Sequence, residues 1–354
     1  MSSTPTPLTI ALVAPETSSL ALVFSRLKIP HIRIEPSLTA LKRLRHATAF
    51  ILDATEDDET ALLRHLVRIG QPILYIQPTT RTSPAIQTIH LTHFQTLQIA
   101  YSKDPDLLRG TLQRFIERTT RPLTSGRARG KFIVIDGGDG SGKGTQATLL
   151  VEHLKKVGIK VKYVDFPQYD SSLFGALVGR FLTGEFGELR SVSPYLVSLA
   201  YALDRTTAAP SMKAWLNRGG WIVANRYTSS NLAHQSARFT DKHAQMAYLA
   251  WAYAVEFYEL GLPREDVVLY LQVPARIASK LTLKKAERHY TRSKKDIAER
   301  DLQHQMDAGT MYTLLAKKFR HWNIIKCIDR QGGILPIATI HQKVVQSLHV
   351  PSKS

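Results

Sequence analysis

Apolar residues occur along the first third of the chain in two alternating patterns. Short β-like runs at Thr9–Val13, His31–Glu35, Ala49–Asp53, Pro72–Gln77 and Leu97–Tyr101 predict five strands. Between and after them, near Ser18–Leu27, Leu38–His46, Asp58–Ile69 and Asp104–Thr119, the apolar positions recur at helical spacing. In the last of these, Leu107, Leu108, Leu112 and Phe115 fall on one face, and Asp104 stands where an N-cap belongs. Strands alternating with helices predict a small doubly wound parallel sheet.

The pattern stops at 119–130, TTRPLTSGRARG, which has the composition of a linker and no apolar period. It resumes at Phe132–Asp136, an apolar strand followed by a glycine-rich turn. After the turn comes an amphipathic helix carrying Leu149, Leu150, Leu154 and Val157 on or near one face. The chain therefore reads as α/β throughout. Residues 1–118 form one small domain, 119–130 a linker, and 131–350 a larger domain with a parallel sheet flanked by helices. No internal repeat is visible.

Composition narrows the function classes. With 44% hydrophobic and 21% charged residues in 354, the chain can bury two cores, and disorder is not expected. The single cysteine, Cys327, excludes a disulfide framework or a cysteine-rich metal site and reads as a buried structural residue. The apolar run Leu8–Val13 has no basic leader, and no eighteen-residue apolar stretch occurs, so a membrane span is not expected and a cytoplasmic location is. A net charge of +18 favours polyanionic partners such as nucleic acid, nucleotides or an acidic membrane surface. The excess is spread: 1–130 holds 16 Lys and Arg against 10 Asp and Glu, with no basic tail, Cys/His finger or RNP-type motif. Nucleic-acid binding is permitted by the charge but not indicated.

The chemistry lies in the turn after Phe132–Asp136: Gly137, Gly138, Asp139, Gly140, Ser141, Gly142, Lys143, Gly144, Thr145. Strand, glycine-rich loop and helix is the context a phosphate-binding loop requires. Glycines let backbone N–H groups converge on phosphate oxygens, the helix N-terminus adds a favourable dipole, and Lys143 brings a mobile charge to the β- and γ-phosphates of ATP. Gly144 stands where most such loops place the Ser or Thr that ligates magnesium. Adenylate kinases also read GKGTQ here, which implies Mg2+ held mainly by nucleotide oxygens and water. No protein metal ligand is assigned, and Thr145, one position late, is the single candidate.

In order and spacing, IDGGDGSGKGTQ, DFPQYDSSLFG, GEFGEL, YALDR, NRYTSSNLAHQ, VVLYLQVP and KKDIAERD make residues 132 to about 348 resemble the thymidylate kinase family. The resemblance implies a P-loop nucleoside-monophosphate kinase that passes the ATP γ-phosphoryl group to dTMP, as a homodimer. It also implies roles for individual residues. Asp139 would meet the acceptor sugar's 3′-hydroxyl. Tyr201 and Arg205, four apart on a helix and so on one face, would stack on the pyrimidine and bond its ring. A guanidinium only donates, which favours O4 of thymine or uracil over the amino group of cytosine. Arg226, at the end of the apolar run Trp221–Ala224, would grip the acceptor phosphate. Asn231 and Gln235 match positions at the base edge, and Phe166 and Pro167 match an apolar wall. Lys284–Arg300 resembles the lid over the donor phosphates, with Arg288 and Arg292 as its catalytic cations and Lys294 and Lys295 behind them.

Departures from the family pattern are Asn225 where Asp is usual, Gln168 near a usual arginine, and Gly140 where some relatives have arginine. They leave two alternatives open: a kinase for dUMP or UMP, and a non-catalytic nucleotide-binding regulator. The first segment weakly resembles a response-regulator receiver domain. Asp53 ends the third strand at the phospho-acceptor position, Thr79 or Thr80 follows the fourth strand and Lys103 the fifth. Ala14-Pro15-Glu16 replaces the acidic pair that holds magnesium there, so a degenerate domain for packing or partner binding is expected.

Overall fold

The computed structural model describes residues 130–282 and 296–348, together with five strands in the first hundred residues, for which only the backbone is described. These strands are β1 Ile10–Val13, β2 His31–Ile34, β3 Ala49–Asp53, β4 Ile73–Gln77 and β5 Thr96–Ala100. Each lies within one residue of its expected bounds. All pair in parallel in the order β2-β1-β3-β4-β5. That is the doubly wound order 2-1-3-4-5 of flavodoxin-like folds. The helices expected between these strands lie outside the described residues, as do Thr79, Thr80, Lys103 and positions 119–129 of the expected linker.

The chain divides into two compact units, Met1–Ser125 with Lys242–Gly261, and Gly126–Asp241 with Leu262–Ser354. The second unit is built on β6 Phe132–Asp136, β7 Val161–Asp165, β8 Trp221–Asn225, β9 Val267–Gln272 and β10 Trp322–Lys326. They form an all-parallel sheet, β10-β9-β6-β8-β7. β6 is central and buried along its whole length, which is why its sequence is an uninterrupted apolar run ending in one acid. Numbered among the described residues, the helices of this unit begin with α1 Lys143–Lys156, α2 Leu173–Leu182, α3 Pro194–Asn217 and α4 Thr228–Ser236. Helix α5, Lys242–Ala254, and the π-helical turn Val255–Glu259 that continues it belong to the first unit. The second unit resumes with α6 Ala275–Thr282, α7 Ile297–Arg300, α8 Leu302–Lys318 and α9 Ile337–Gln346.

Ile133 and Ile135 of β6, Val223 of β8 and Leu269 of β9 form one core with Ala147, Leu150 and Leu154 of α1 and Ile340 and Val344 of α9. Gln146 ties these two helices further, its Nε2 donating to the Ile337 carbonyl at 3.0 Å. Cys327 is fully buried in the same core, and burial pushes its thiol up to about 11, so it is an inert packing residue as expected. In this sheet β6 has β8 on one side and β9 on the other, which puts a crevice at the carboxyl ends of the strands around β6.

Candidate functional site

The loop after β6 turns on three backbone positions that only glycine tolerates easily, Gly137, Gly140 and Gly142. Gly137 has φ +149°, and a Cβ there would lie 2.6 Å from the Leu271 carbonyl oxygen; Gly142, with φ +87°, makes the left-handed step into α1. Lys143 opens the helix with its side chain folded back, Nζ donating to the Gly138 carbonyl at 2.7 Å. The ammonium thus lies across the mouth of the loop, next to the N–H groups of the first helical turn. Thr145 is exposed on that turn.

At the base of the loop Asp136 is fully buried and heavily bonded. Its carboxylate accepts from Ser229 Oγ at 2.5 Å, Ser230 Oγ at 2.7 Å, Tyr312 Oη at 2.7 Å and the Gly137 N–H at 2.8 Å. It thereby locks α4 and α8 to the start of the loop. Burial beside Asp136 drives the Tyr312 phenol well above its usual range, so it stays a donor.

Arg226 follows β8 with φ +63°, the left-handed region that costs a non-glycine residue energy. Its N–H reaches the Ile135 carbonyl at 3.1 Å across the sheet ends. This kink sends the guanidinium over the loop, where Nη2 pairs with Asp139 and Nη1 donates to Ser230 Oγ at 3.3 Å. Burial works most strongly against the positive charge, but Asp139, Tyr312, Asp136 and Tyr169 together outweigh it and hold the guanidinium well above arginine's usual range. The other Asp139 oxygen accepts from Gln305 Nε2 at 3.0 Å.

These groups border a pocket inside the second unit. Of the acceptor-side residues expected from sequence, it brings together Asp139, Pro167, Tyr201, Arg226, Asn231 and Gln235. Phe181, Leu182 and Leu189 make an apolar wall, and His234 and His304 line it as well. Asn231 donates to the Ser198 carbonyl at 3.4 Å, and Gln235 accepts from Arg238 Nη1 at 2.7 Å. Arg238 also donates to the Leu189 and Val192 carbonyls, which fastens the segment after GEFGEL to α4.

Phe166 and Arg205 do not line the pocket. Phe166 is buried against Tyr227 with ring centroids 5.6 Å apart, and its peptide bond to Pro167 is cis. Arg205 is only 2% exposed; Nη1 donates to the Tyr227 carbonyl at 3.4 Å and the guanidinium lies over that ring. Gln168 is clamped to α3, its Nε2 donating to Thr207 Oγ1 at 2.9 Å and the Asp204 carbonyl at 3.1 Å. Arg288, Arg292, Lys294 and Lys295 lie outside the described residues. The acids just after them are helix caps. Asp296 and Glu299 form a capping box on α7, and Asp301 Oδ1 caps α8 through the His304 N–H at 2.9 Å.

Sequence reading missed Asp136, Ser230, His234, His304, Gln305 and Tyr312. One signal was present: His304, Gln305 and Tyr312 interrupt the buried stripe of α8, alongside Ala308, Met311 and Leu315, and buried polar groups in such a stripe need partners. His234 carries none and shows itself only in the fold. Burial pushes its imidazole down to about 3, and its Nδ1 stands 3.4 Å from His304 Nε2.

The amide oxygen of Asn225 and the carboxylate of Asp165 are ligand types that suit a hard cation kept mostly hydrated. Asn225 Nδ2 donates to Asp165 at 2.9 Å and would lie 3.6 Å from a Cβ on Gly144, while Asn225 Oδ1 makes no hydrogen bond among the described residues. No cluster of three His, Cys, Asp or Glu side chains suited to a metal occurs among the described residues.

Comparison with known proteins agrees with this geometry. A family model described as thymidylate kinase matches residues 135–329, more than half of the chain. The thymidylate kinase of Mycobacterium tuberculosis is 34% identical over 185 residues, covering 52% of this chain and 85% of that protein. Those of Plasmodium falciparum and Homo sapiens are 33% and 30% identical, over 44% and 43% of this chain and 68% and 65% of their own lengths. By that match, spanning the phosphate-binding loop, the kinked arginine after β8 and the pocket between them, the chain belongs to the thymidylate kinase family.

Proposed function

We propose that the chain transfers the γ-phosphoryl group of ATP to dTMP, giving dTDP and ADP, and that residues 131–350 carry the reaction. One observation supports this above the rest: a phosphate-binding loop shares a residue, Asp139, with a pocket lined by a half-buried, charged arginine. A donor phosphate chain on the loop and an acceptor phosphate on Arg226 are then brought end to end. Residues 242–261 contribute nothing to the pocket lining.

In this reading Gly137, Gly138, Gly140, Ser141, Gly142, Lys143, Gly144 and Thr145 hold ATP. Lys143 exchanges the Gly138 carbonyl for a phosphate oxygen, a replacement of a neutral acceptor by an anionic one. Arg226 grips the acceptor phosphate. Tyr201 faces the base, Asn231 and Gln235 meet its edge, and Asp139 accepts from the 3′-hydroxyl. Phe166 and Arg205 act from behind the wall, by holding Tyr227 and the turn after β8. Asn225, Asp165 and Thr145 are the side chains that would stand by Mg2+, which would supply positive charge to offset that on the transferred group. Arg288 and Arg292 supply the remaining positive charge from the lid. No covalent intermediate is needed: positioning and electrostatics carry the rate.

The test is a comparison of dTMP, dUMP, UMP and dCMP as acceptors with ATP and Mg2+. The apolar wall of Phe181, Leu182 and Leu189 leads us to expect kcat/KM for dTMP about tenfold or more above dUMP, the worth of one methyl group in such a pocket. Equal rates would remove thymidylate as the preferred acceptor, and nucleotide binding without turnover would leave a regulator instead.

The same reading makes the protein a cytoplasmic homodimer. Among the described residues no helix is long and apolar enough to cross a membrane. Leu173 on α2 and Leu196 on α3 are 81% and 65% exposed, and Leu177 follows Leu173 by one turn. Large aliphatic side chains so exposed on neighbouring helices suit burial against a second copy. Leu173→Asp combined with Leu196→Asp is expected to halve the mass measured by analytical ultracentrifugation. An unchanged mass would place the interface elsewhere.

A further inference from the structure

The His234–His304 pair has no part in the phosphoryl transfer set out above, yet both residues line the acceptor pocket. His234 Nδ1 faces His304 Nε2 at 3.4 Å, and its own Nε2 is buried without a hydrogen-bond partner among the described residues. A buried polar atom left in this state in a pocket wall is paired by a ligand or by water. The ring lies edge-on to Tyr312, centroids 5.7 Å apart.

The place of His234 along the pocket points to the ligand atom. It lies on α4 one turn beyond Ser230, which bonds Arg226, and within electrostatic reach of Asp139, Arg226 and Lys143. That is the stretch of the pocket lined by Asp139, Arg226 and Ser230. A nucleotide with its phosphate on Arg226 and its base beside Tyr201 puts its sugar there. Asp139 as a carboxylate only accepts, so a sugar hydroxyl that donates to it still needs a donor for its own lone pair. We propose that His234 Nε2–H is that donor, so that the acceptor's 3′-hydroxyl is held between His234 and Asp139. His304 is a positioning residue: by donating its Nε2–H to His234 Nδ1 it fixes the His234 tautomer with the proton on Nε2. A neutral imidazole suits this role, and burial keeps His234 neutral through the physiological range.

This inference rests on the dTMP placement proposed above, and the experiment separates the two. kcat/KM is measured for dTMP, for its 3′-deoxy analogue and for ribothymidylate, in the wild type, His234→Met, His234→Gln, His304→Ala, His304→Gln and Tyr201→Ala. In the wild type, loss of the 3′-hydroxyl is expected to cost about 30-fold or more, since it leaves buried polar groups unpaired. His234→Met should shrink that ratio about tenfold, almost all of it through slower use of dTMP. His234→Gln, which keeps an N–H donor, should retain part of the ratio. His304→Ala should shrink it as well, and His304→Gln should restore it.

A 3′-hydroxyl ratio unchanged within twofold in the His234 variants overturns the hydrogen bond. So does a change confined to the ribothymidylate arm, which would assign His234 to the 2′ edge. If Tyr201→Ala leaves the KM for dTMP untouched, the acceptor placement itself falls. If it raises that KM while the 3′-hydroxyl ratio survives in His234→Met, only the hydrogen bond falls.

Discussion

Lys143→Ala is expected to lower kcat for dTDP formation about a thousandfold while the protein stays folded. The ammonium spans the loop mouth and donates to the Gly138 carbonyl, a neutral partner readily given up for phosphate. Its loss removes a preorganised charge from the place where negative charge accumulates on the transferred group. It leaves intact the core around Leu150 and Leu154, so thermal unfolding should move by only a few degrees. Steady-state assays at saturating dTMP with varied ATP report the change in both kcat and the KM for ATP. Turnover within tenfold of wild type would show that the loop does not bind the reacting phosphates.

The largest stability effect is expected at Asp136. This carboxylate is fully buried and accepts from Ser229, Ser230, Tyr312 and the Gly137 N–H. Asp136→Ala strands those donors in the interior, where each orphaned group costs about 1–3 kcal/mol. The hydroxyls can turn toward weaker partners, so a loss of about 3–5 kcal/mol is expected rather than the full sum. For a unit of this size that corresponds to about a 10 °C fall in the melting temperature of the nucleotide-binding transition. Tyr312→Phe removes one donor and leaves the acid paired, so it should cost about 1 kcal/mol. Calorimetry with and without ATP identifies the transition. A fall under about 2 °C for Asp136→Ala would mean that the network does not brace the loop.

The strands were the most legible part of the chain. A parallel sheet buried on both faces demands continuous apolar runs, and such runs, punctuated by glycine or acid, are local in sequence. The phosphate-binding loop was legible for a related reason: backbone N–H groups can converge on phosphate only if the intervening residues are glycine, so the constraint lies in consecutive positions 137–144. The pocket was legible in part. Residues carried in the short motifs around Asp139, Tyr201, Arg226 and Asn231 do meet around it. Arg205 has the helical phase of Tyr201 yet is buried behind Tyr227, because phase gives a face of a helix and not the depth of what packs on it.

The sequence by itself settled the alternation of strands and helices, the phosphate-binding loop and the family, since each depends on residues close together along the chain. Only the tertiary structure decided that Asp136 joins β6, α4 and α8, that Asp139 is shared between Arg226 and Gln305, and that His234 meets His304. Those partners are separated by 70 to 176 residues. Nothing local marks a polar side chain as paired. Pairing is imposed when folding removes water and every buried donor must find an acceptor.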